Sequence, residues 1–327
     1  MTMQTYDARG IREDLADVIY NISPIDTPFV SNIGKTTADN TYFEWQIDNL
    51  AAPDTNNAQI EGADAGQDNS NPTSRIGNYT QISTKVVQIS GTLEAVRKAG
   101  RKSELAYQIA KRGNELKRDI EAIATSPQAA VVGSDTTARK TAGFECFIIS
   151  NTIRQAGGAD PTYSGGTSTS GLPVGYPNAS PTNGTAQAAI TEANFKTMLQ
   201  KQWSAGGKAD MVLTGPINKQ NISGFAGIAT RFRDVPAGQQ AQIIGAADVY
   251  VSDFGDVTIV PDRFKAERSA QGIDLEYVSL AYLRNFQLNQ LAKTGDSEKR
   301  QLVVEWGVKV QNPLAHSVYA DLTTTLS

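Results

Sequence analysis

Residues 49–78 are rich in Asn, Asp, Ala and Gly, contain Pro53 and Pro72, and are almost devoid of bulky apolar side chains. Such a stretch cannot bury enough apolar surface to build a core of its own. It lies between two segments with the two-residue period of half-buried strands. In TYFEWQID, residues 41–48, Phe43, Trp45 and Ile47 alternate with Tyr42, Glu44, Gln46 and Asp48, and YTQISTKVVQIS, residues 79–90, is the expected partner strand. The product is a hairpin with a long polar tip. A tip of this length is unusual in a compact domain unless something else holds it.

The rest of the chain alternates helices and strands. IREDLADVIY, residues 11–20, sets Ile11, Leu15, Val18 and Ile19 at helical spacing, and Pro24 and Pro28 then impose an extended arm. The NIGKTT segment ends like a phosphate-binding loop at Gly34, Lys35 and Thr36, but Phe29 stands where that loop needs glycine, so a turn is expected. A long helix is expected over 103–125, capped by Ser103, with Leu105, Ile109, Leu116, Ile120 and Ile123 on one face. Gly113 interrupts it at about 1 kcal/mol against Ala, which points to a close packing contact or a bend. Residues 156–185 are dominated by Gly, Ser, Thr, Pro and Asn and read as a surface loop. A second helix, 191–203, starts at Thr191 and lines one face with Phe195, Met198, Leu199 and Trp203, with Gln202 at its edge. Strands follow in DMVLTGP, in VYVSDFGDVTIVPDRF around a turn at 254–256, and in LVVEWGVKVQ, where Trp306 joins Trp45 as an expected core residue.

Composition narrows the chemistry. Thirty Lys and Arg against 34 Asp and Glu give a net charge of −4, which does not suit a dedicated nucleic-acid binder. No apolar run approaches a membrane span, and the N-terminus lacks a signal-peptide core, so a cytoplasmic protein with no membrane partner is expected. Cys146 is the single cysteine and His316 the single histidine. Disulfides, cofactor motifs and histidine-rich metal sites are therefore not expected, nor is an enzyme of the Ser-His type. Cys146 reads as a small buried hydrophobe, and His316, after the last strong strand, as a surface or interface hydrogen-bonder.

The order of elements, together with DLADVIYNISPIDTPFVSNIG, FKTMLQKQWSAGGKADMVLTGPINKQNISGF, VYVSDFGDVTIVPDRF and YLRNFQLNQLAKTGDSEKRQLVVEWGVKVQNPLAHSV, resembles the major capsid proteins of tailed bacteriophages. The match is most similar to the podophage-type family related to that of phage SU-ten, whose shell fold is shared with encapsulins and herpesvirus capsid floors. The resemblance implies an α+β capsid shell fold. It would comprise an N-terminal arm (1–40), an extended hairpin loop lying on a neighbouring subunit (41–90), a peripheral domain (91–139 and 273–327) with spine helix 103–125, and an axial domain (140–272). The late strands 247–260 and 302–311 would be shared between the two domains.

It further implies a homo-oligomer of hexamers and pentamers, forming an icosahedral virion capsid around double-stranded DNA and assembled in the host cytoplasm. A separate scaffolding protein and a portal protein would be partners, with a decoration or minor capsid protein as a further one, and the DNA would be enclosed without specific binding. Some relatives weld subunits through a lysine in the extended loop, but residues 49–78 contain none, so covalent linkage of that kind is not expected. Candidate intersubunit residues are the tip acids Asp54, Glu61, Asp64 and Asp68, the basic cluster Arg97, Lys98, Arg101 and Lys102 before the spine helix, and Arg231 and Arg233 at an axial contact. Order in the tip and in the 156–185 loop is expected to come from neighbours. The alternatives are an encapsulin-type compartment shell and a secreted glycan-binding β-protein. The latter rests on acids such as Asp253 and Asp256, which flank Gly255 as ordinary turn residues do.

Overall fold

The computed structural model describes residues 26–62, 64–66, 70–96, 102–225, 248–293 and 295–325, and the helix expected over 11–20 lies outside them. The described chain enters through α1 (Pro28–Asn32), with proline where a helix start needs no N–H donor. It continues into β1 (Gly34–Thr37), so NIGKTT forms a strand and the turn expected there is corrected. The hairpin follows as β2 (Tyr42–Ile47) and β3 (Ser74–Tyr79), paired from Tyr42 with Tyr79 to Ile47 with Ser74.

The partner of the first hairpin arm is therefore 74–79 and not 79–90. The next strand, β4 (Gln81–Ser90), leaves the hairpin for another sheet. Alternation specifies which side chains face inward, and several strands can satisfy the same inward face. After the short α2 (Gly91–Ala95) comes α3 (Glu104–Thr125), whose 22 residues form the expected long helix. Ser103 Oγ accepts the N–H of Ala106, and Glu94 Oε2 accepts those of Glu104 and Leu105 at 3.0 and 3.4 Å. Its start thus has three of its orphan donors satisfied.

Apart from Glu104 at its start, the buried residues of α3 lie in its second half. Leu116, Ile120, Glu121, Ala124 and Thr125 are buried there, while Ala106, Ala110, Lys111, Asn114 and Lys117 are exposed. A Cβ on Gly113 would meet nothing within 4 Å, so the intrachain contact expected there is absent. Beneath α3 lies a four-stranded sheet in the order β1, β12 (Val278–Gln290), β13 (Ser297–Val310), β4. Ser83, Val87 and Ile89 turn toward the interior, leaving Ile82 and Val86 outward. Trp306 on β13 is fully buried and its indole N–H donates to Ser83 Oγ at 3.1 Å, satisfying a group costly to bury unpaired. Trp45 is only half-buried, its indole N–H donating to the carbonyl of Gln311.

A six-stranded sheet runs in the order β5 (Thr152–Ile153), β14 (Ser317–Ala320), β11 (Ser269–Ile273), β8 (Met211–Thr214), β10 (Gly255–Pro261), β9 (Val249–Ser252). Helices α4 (Glu192–Ser204) and α5 (Pro216–Ser223) contribute Phe195, Met198, Leu199 and Ile222 to a core completed by Tyr250, Val257, Ile259 and Tyr319. Thr191 caps α4 as expected. Strands β9 and β10 lie in this sheet and β13 in the other.

Residues 156–185 are anchored on their own chain. They form a small pair, β6 (Thr162–Tyr163) and β7 (Pro177–Ala179), bury Tyr163 and Leu172, and exchange backbone bonds with the hairpin from Gly175 to Arg75 and Gly77. The expectation that neighbours hold this loop is corrected. Two apolar anchors and a ladder of backbone bonds suffice in a segment whose composition is otherwise that of a surface loop.

Candidate functional site

The hairpin tip is the most exposed described part of the molecule. Every described residue from 48 to 73 is exposed, including Leu50 at 96% and Ile60 at 83%. Its local order comes from turns. Asp54 Oδ1 accepts the N–H of Asn56 at 2.8 Å, and Gly62 has φ +80°, a conformation that favours glycine. One bond of 3.4 Å, from the Asn49 amide to the Ser170 carbonyl, ties the tip's root to the 156–185 loop. Below the tip, Arg75 pairs with Glu44 across the hairpin.

The candidate charges divide into two groups. Asp54, Glu61 and Asp64 are exposed on the tip, and Lys102 is exposed just before Ser103. Asp68, Arg97, Lys98, Arg101, Arg231 and Arg233 lie outside the described residues. Among the described residues no ion pair joins the tip acids to α3 of the same chain. The exposed surface of α3 adds Lys111 in its first half and Lys117 in its second. The sequence pattern could have marked Lys111, which falls opposite Leu116 and Ile120 on the helix, whereas Lys117 lies at the flank of that buried stripe.

Other outward groups escaped sequence reasoning. Trp203 is 57% exposed and stacks on Phe254 with ring centroids 5.3 Å apart, whereas Gln202 takes the buried place expected of it. The Gln202 amide is satisfied inside, donating to the carbonyl of Ala315 and accepting from Ser317 Oγ, each at 2.7 Å. On the sheet side, the buried Glu305 is held by both Arg139 and Arg284, the latter at 2.7 Å. Beside Arg139 an open depression of about 410 Å³ is lined also by Ile82, Val132, Ser134 and Thr137.

The titratable groups inside are arranged for packing. His316 is fully buried, with Asp274 N–H donating to Nδ1 and Nε2 facing the carbonyl of Tyr277, so the exposed position expected for it is corrected. Burial holds it down to about 4, which leaves it neutral and enclosed. Cys146 is buried, as expected of a small hydrophobe, and burial pushes its thiol well above the ordinary range. Among the described residues, no cluster of His, Cys, Asp or Glu is placed to hold a metal ion, and no helix is long and apolar enough to cross a membrane.

A family model described as SU10 major capsid protein matches residues 1–323. The major capsid protein of Escherichia phage Phieco32 is 32% identical over 344 residues, covering 96% of this chain and 95% of that protein. Among solved structures, the capsid asymmetric unit of cyanophage A-1(L) superposes with a TM-score of 0.68 at 14% identity, over 98% of this chain and 99% of that one. A holo-encapsulin complex from Synechococcus elongatus PCC 7942 is similar at a TM-score of 0.55 and 11% identity, over 100% and 99% of the two chains. The α+β architecture is the tailed-phage capsid fold, shared with an encapsulin.

Proposed function

The chain belongs to the SU10 major capsid protein family and is a phage major capsid protein; from that premise we propose that its copies build, as hexamers and pentamers, an icosahedral shell around double-stranded DNA. The observation that carries this reading is the tip. A polar stretch whose described residues are all exposed on their own subunit, with Leu50 and Ile60 held out in water, is shaped for burial on another copy.

In this reading the tip acids Asp54, Glu61, Asp64 and Asp68 lie near Arg97, Lys98, Arg101 and Lys102 of a neighbour, and Arg231 and Arg233 reach across the axial contact. The arm 1–40, hairpin 41–90, peripheral parts 91–139 and 273–327, and axial part 140–272 are the working divisions. A separate scaffolding protein sets curvature during assembly in the host cytoplasm, a portal admits the DNA, and a decoration or minor capsid protein caps the outside. The protein contributes no catalysis. With a net charge of −4 the shell confines DNA without gripping it.

Electron microscopy of the protein co-expressed with its phage's scaffolding gene product tests this directly. Closed icosahedral particles are expected, with nuclease-resistant DNA inside those isolated from infected cells. A monomeric mass under all assembly conditions overturns the shell, and particles filled with cargo enzyme in place of DNA favour the encapsulin-type alternative.

A further inference from the structure

The short helix α1 is capped from far along the chain. Thr27 occupies the capping position but its side chain makes no capping bond. Instead Glu121, on the last turns of α3, receives the N–H of Phe29 on Oε1 at 2.6 Å and that of Val30 on Oε2 at 2.8 Å. Both oxygens of one carboxyl therefore grip consecutive amides of the segment that leads residues 1–27 into the fold. Phe29 is fully buried and packs edge-on against Phe144 at 5.5 Å, so grip and packing act at the same point.

Beyond those two N–H groups, no ion-paired cation offsets a charge on Glu121 among the described residues. It has no exposed surface, and among the described residues no lysine or arginine lies within ion-pair distance of it. The facing loop after β10 brings a second carboxylate, Asp262, itself almost fully buried, with one oxygen accepting from Phe264 N–H at 2.8 Å and the other without a partner. Lys265 of the same loop is also buried, but its ammonium is directed to Ser269 Oγ at 2.8 Å and the carbonyl of Ala266. Ser269 in turn donates to Glu145 at 2.8 Å, so the hydrogen bonds of Lys265 lead to a different carboxylate, although its charge also acts on Asp262. Arg118, one turn before Glu121 on α3, lies over the ring of Phe264 at 4.9 Å. Helix α1 itself, PFVSN, has no titratable side chain.

We propose that Glu121 is a protonation-sensitive clasp, its carboxyl fastening the N-terminal segment to the end of α3 and loosening that hold when the proton leaves. Burial pushes Glu121 up to about 7, against the pull of the two backbone N–H groups and with a further push from Asp262. When α1 lifts away, the carboxyl returns to water and to its ordinary value of 4.5. The released state then binds fewer protons than the closed state between those two values. Opening therefore becomes easier as pH rises through that window, by up to about tenfold per pH unit, and levels off above it.

The test is hydrogen exchange of a peptide spanning 26–33 in the full chain, free and assembled, corrected for intrinsic exchange, from pH 4.5 to 8.5. The opening constant should climb toward pH 7 and then flatten, and Glu121→Gln, which keeps an acceptor but cannot ionise, should give a flat profile. Asp262→Asn removes the facing charge and should bring the plateau in at lower pH, which keeps the proposal testable if Glu121→Gln does not fold. A flat wild-type profile, an opposite slope, or an unchanged slope in Glu121→Gln overturns it.

Discussion

His316 Nδ1 accepts the backbone N–H of Asp274 at 3.2 Å, which fixes the tautomer of a fully buried ring. The proton must then sit on Nε2, which donates to the carbonyl of Tyr277 at 3.3 Å. The ring also stands edge-on to Phe144 at 4.9 Å. One neutral imidazole thus joins the turn after β11 to the chain leading into β14.

This arrangement fails in acid. Burial lowers His316 from 6.5 to about 4, with the Tyr277 carbonyl acting in the opposite direction. The unfolded chain takes up a proton that the folded one refuses, so this contribution to stability is full above 6.5 and is lost progressively as pH falls toward 4. The loss is on the order of 3 kcal/mol. Urea unfolding of the free subunit should show it as a difference between wild type and His316→Asn, whose side-chain oxygen can still accept from Asp274. Subtracting the two curves is essential, because Glu121 gives a slope of opposite sign over an overlapping range.

Gly113 gives a second prediction. It sits in regular helix, and among the described residues a Cβ there would meet nothing within 4 Å outside its own turn of helix. Gly113→Ala should stabilise the free subunit by about 1 kcal/mol, since alanine loses less backbone freedom on folding. Thermal unfolding of the subunit checks this. If a neighbour's tip lies across this half of α3, the same substitution should fail to stabilise assembled particles.

Local signals in the sequence specified local structure well. Ser103 and Thr191 mark their helix starts because a capping hydroxyl acts within three residues. Partners distant in sequence were less legible. The period of 79–90 fits a strand but does not say that β13 rather than β2 is beside it. On the wheel of α4, Gln202 falls between Phe195 and Met198 and Trp203 at the rim beyond Leu199, so spacing favoured Gln202 and only its polarity argued against it. The groups that satisfy its amide, on Ala315 and Ser317, are more than 110 positions away. His316 looked like a surface residue because the two backbone groups that enclose it come from the turn after β11. For the assembly surface, the charges are visible in the sequence, whereas the uncovered half of α3 appears only once the four-stranded sheet is placed under the other half.

Asp321 supplies a third prediction. It is fully buried at φ 60°, the left-handed region that few non-glycine residues adopt. Its Oδ1 accepts from Gly184 N–H at 2.7 Å and from Arg268 at 3.2 Å, and Oδ2 from Gln155 N–H at 3.2 Å. One carboxylate therefore ties both ends of the 156–185 loop to β14. Asp321→Ala should destabilise the subunit by about 3 kcal/mol, leaving a cation, one buried and one partly buried backbone donor unmatched. Asp321→Asn, which tolerates the left-handed backbone and keeps one acceptor, should lose less. Urea unfolding gives the magnitudes, and faster protease cleavage within 156–185 would place the damage.

The last prediction concerns how the tip is held. The four acids Asp54, Glu61, Asp64 and Asp68 face only Arg75 within 49–78, while residues 97–118 hold eight Lys and Arg against Glu104 and Glu115. Each exposed pair contributes about 0 to 1 kcal/mol, too little to order a tip alone. Repeated at every subunit contact of a closed shell, pairs of that strength can set register yet still release a wrongly placed subunit during assembly. Replacing Asp64 and Asp68 by Lys should lower particle yield or shell stability at low salt, and Arg101→Glu with Lys102→Glu in the same chain should restore part of it. The defect should shrink toward 1 M salt, where screening acts over roughly 3 Å. Normal assembly of the reversed tip at low salt would show that shape holds it, and the exposed Leu50 and Ile60 would then be the residues to truncate next.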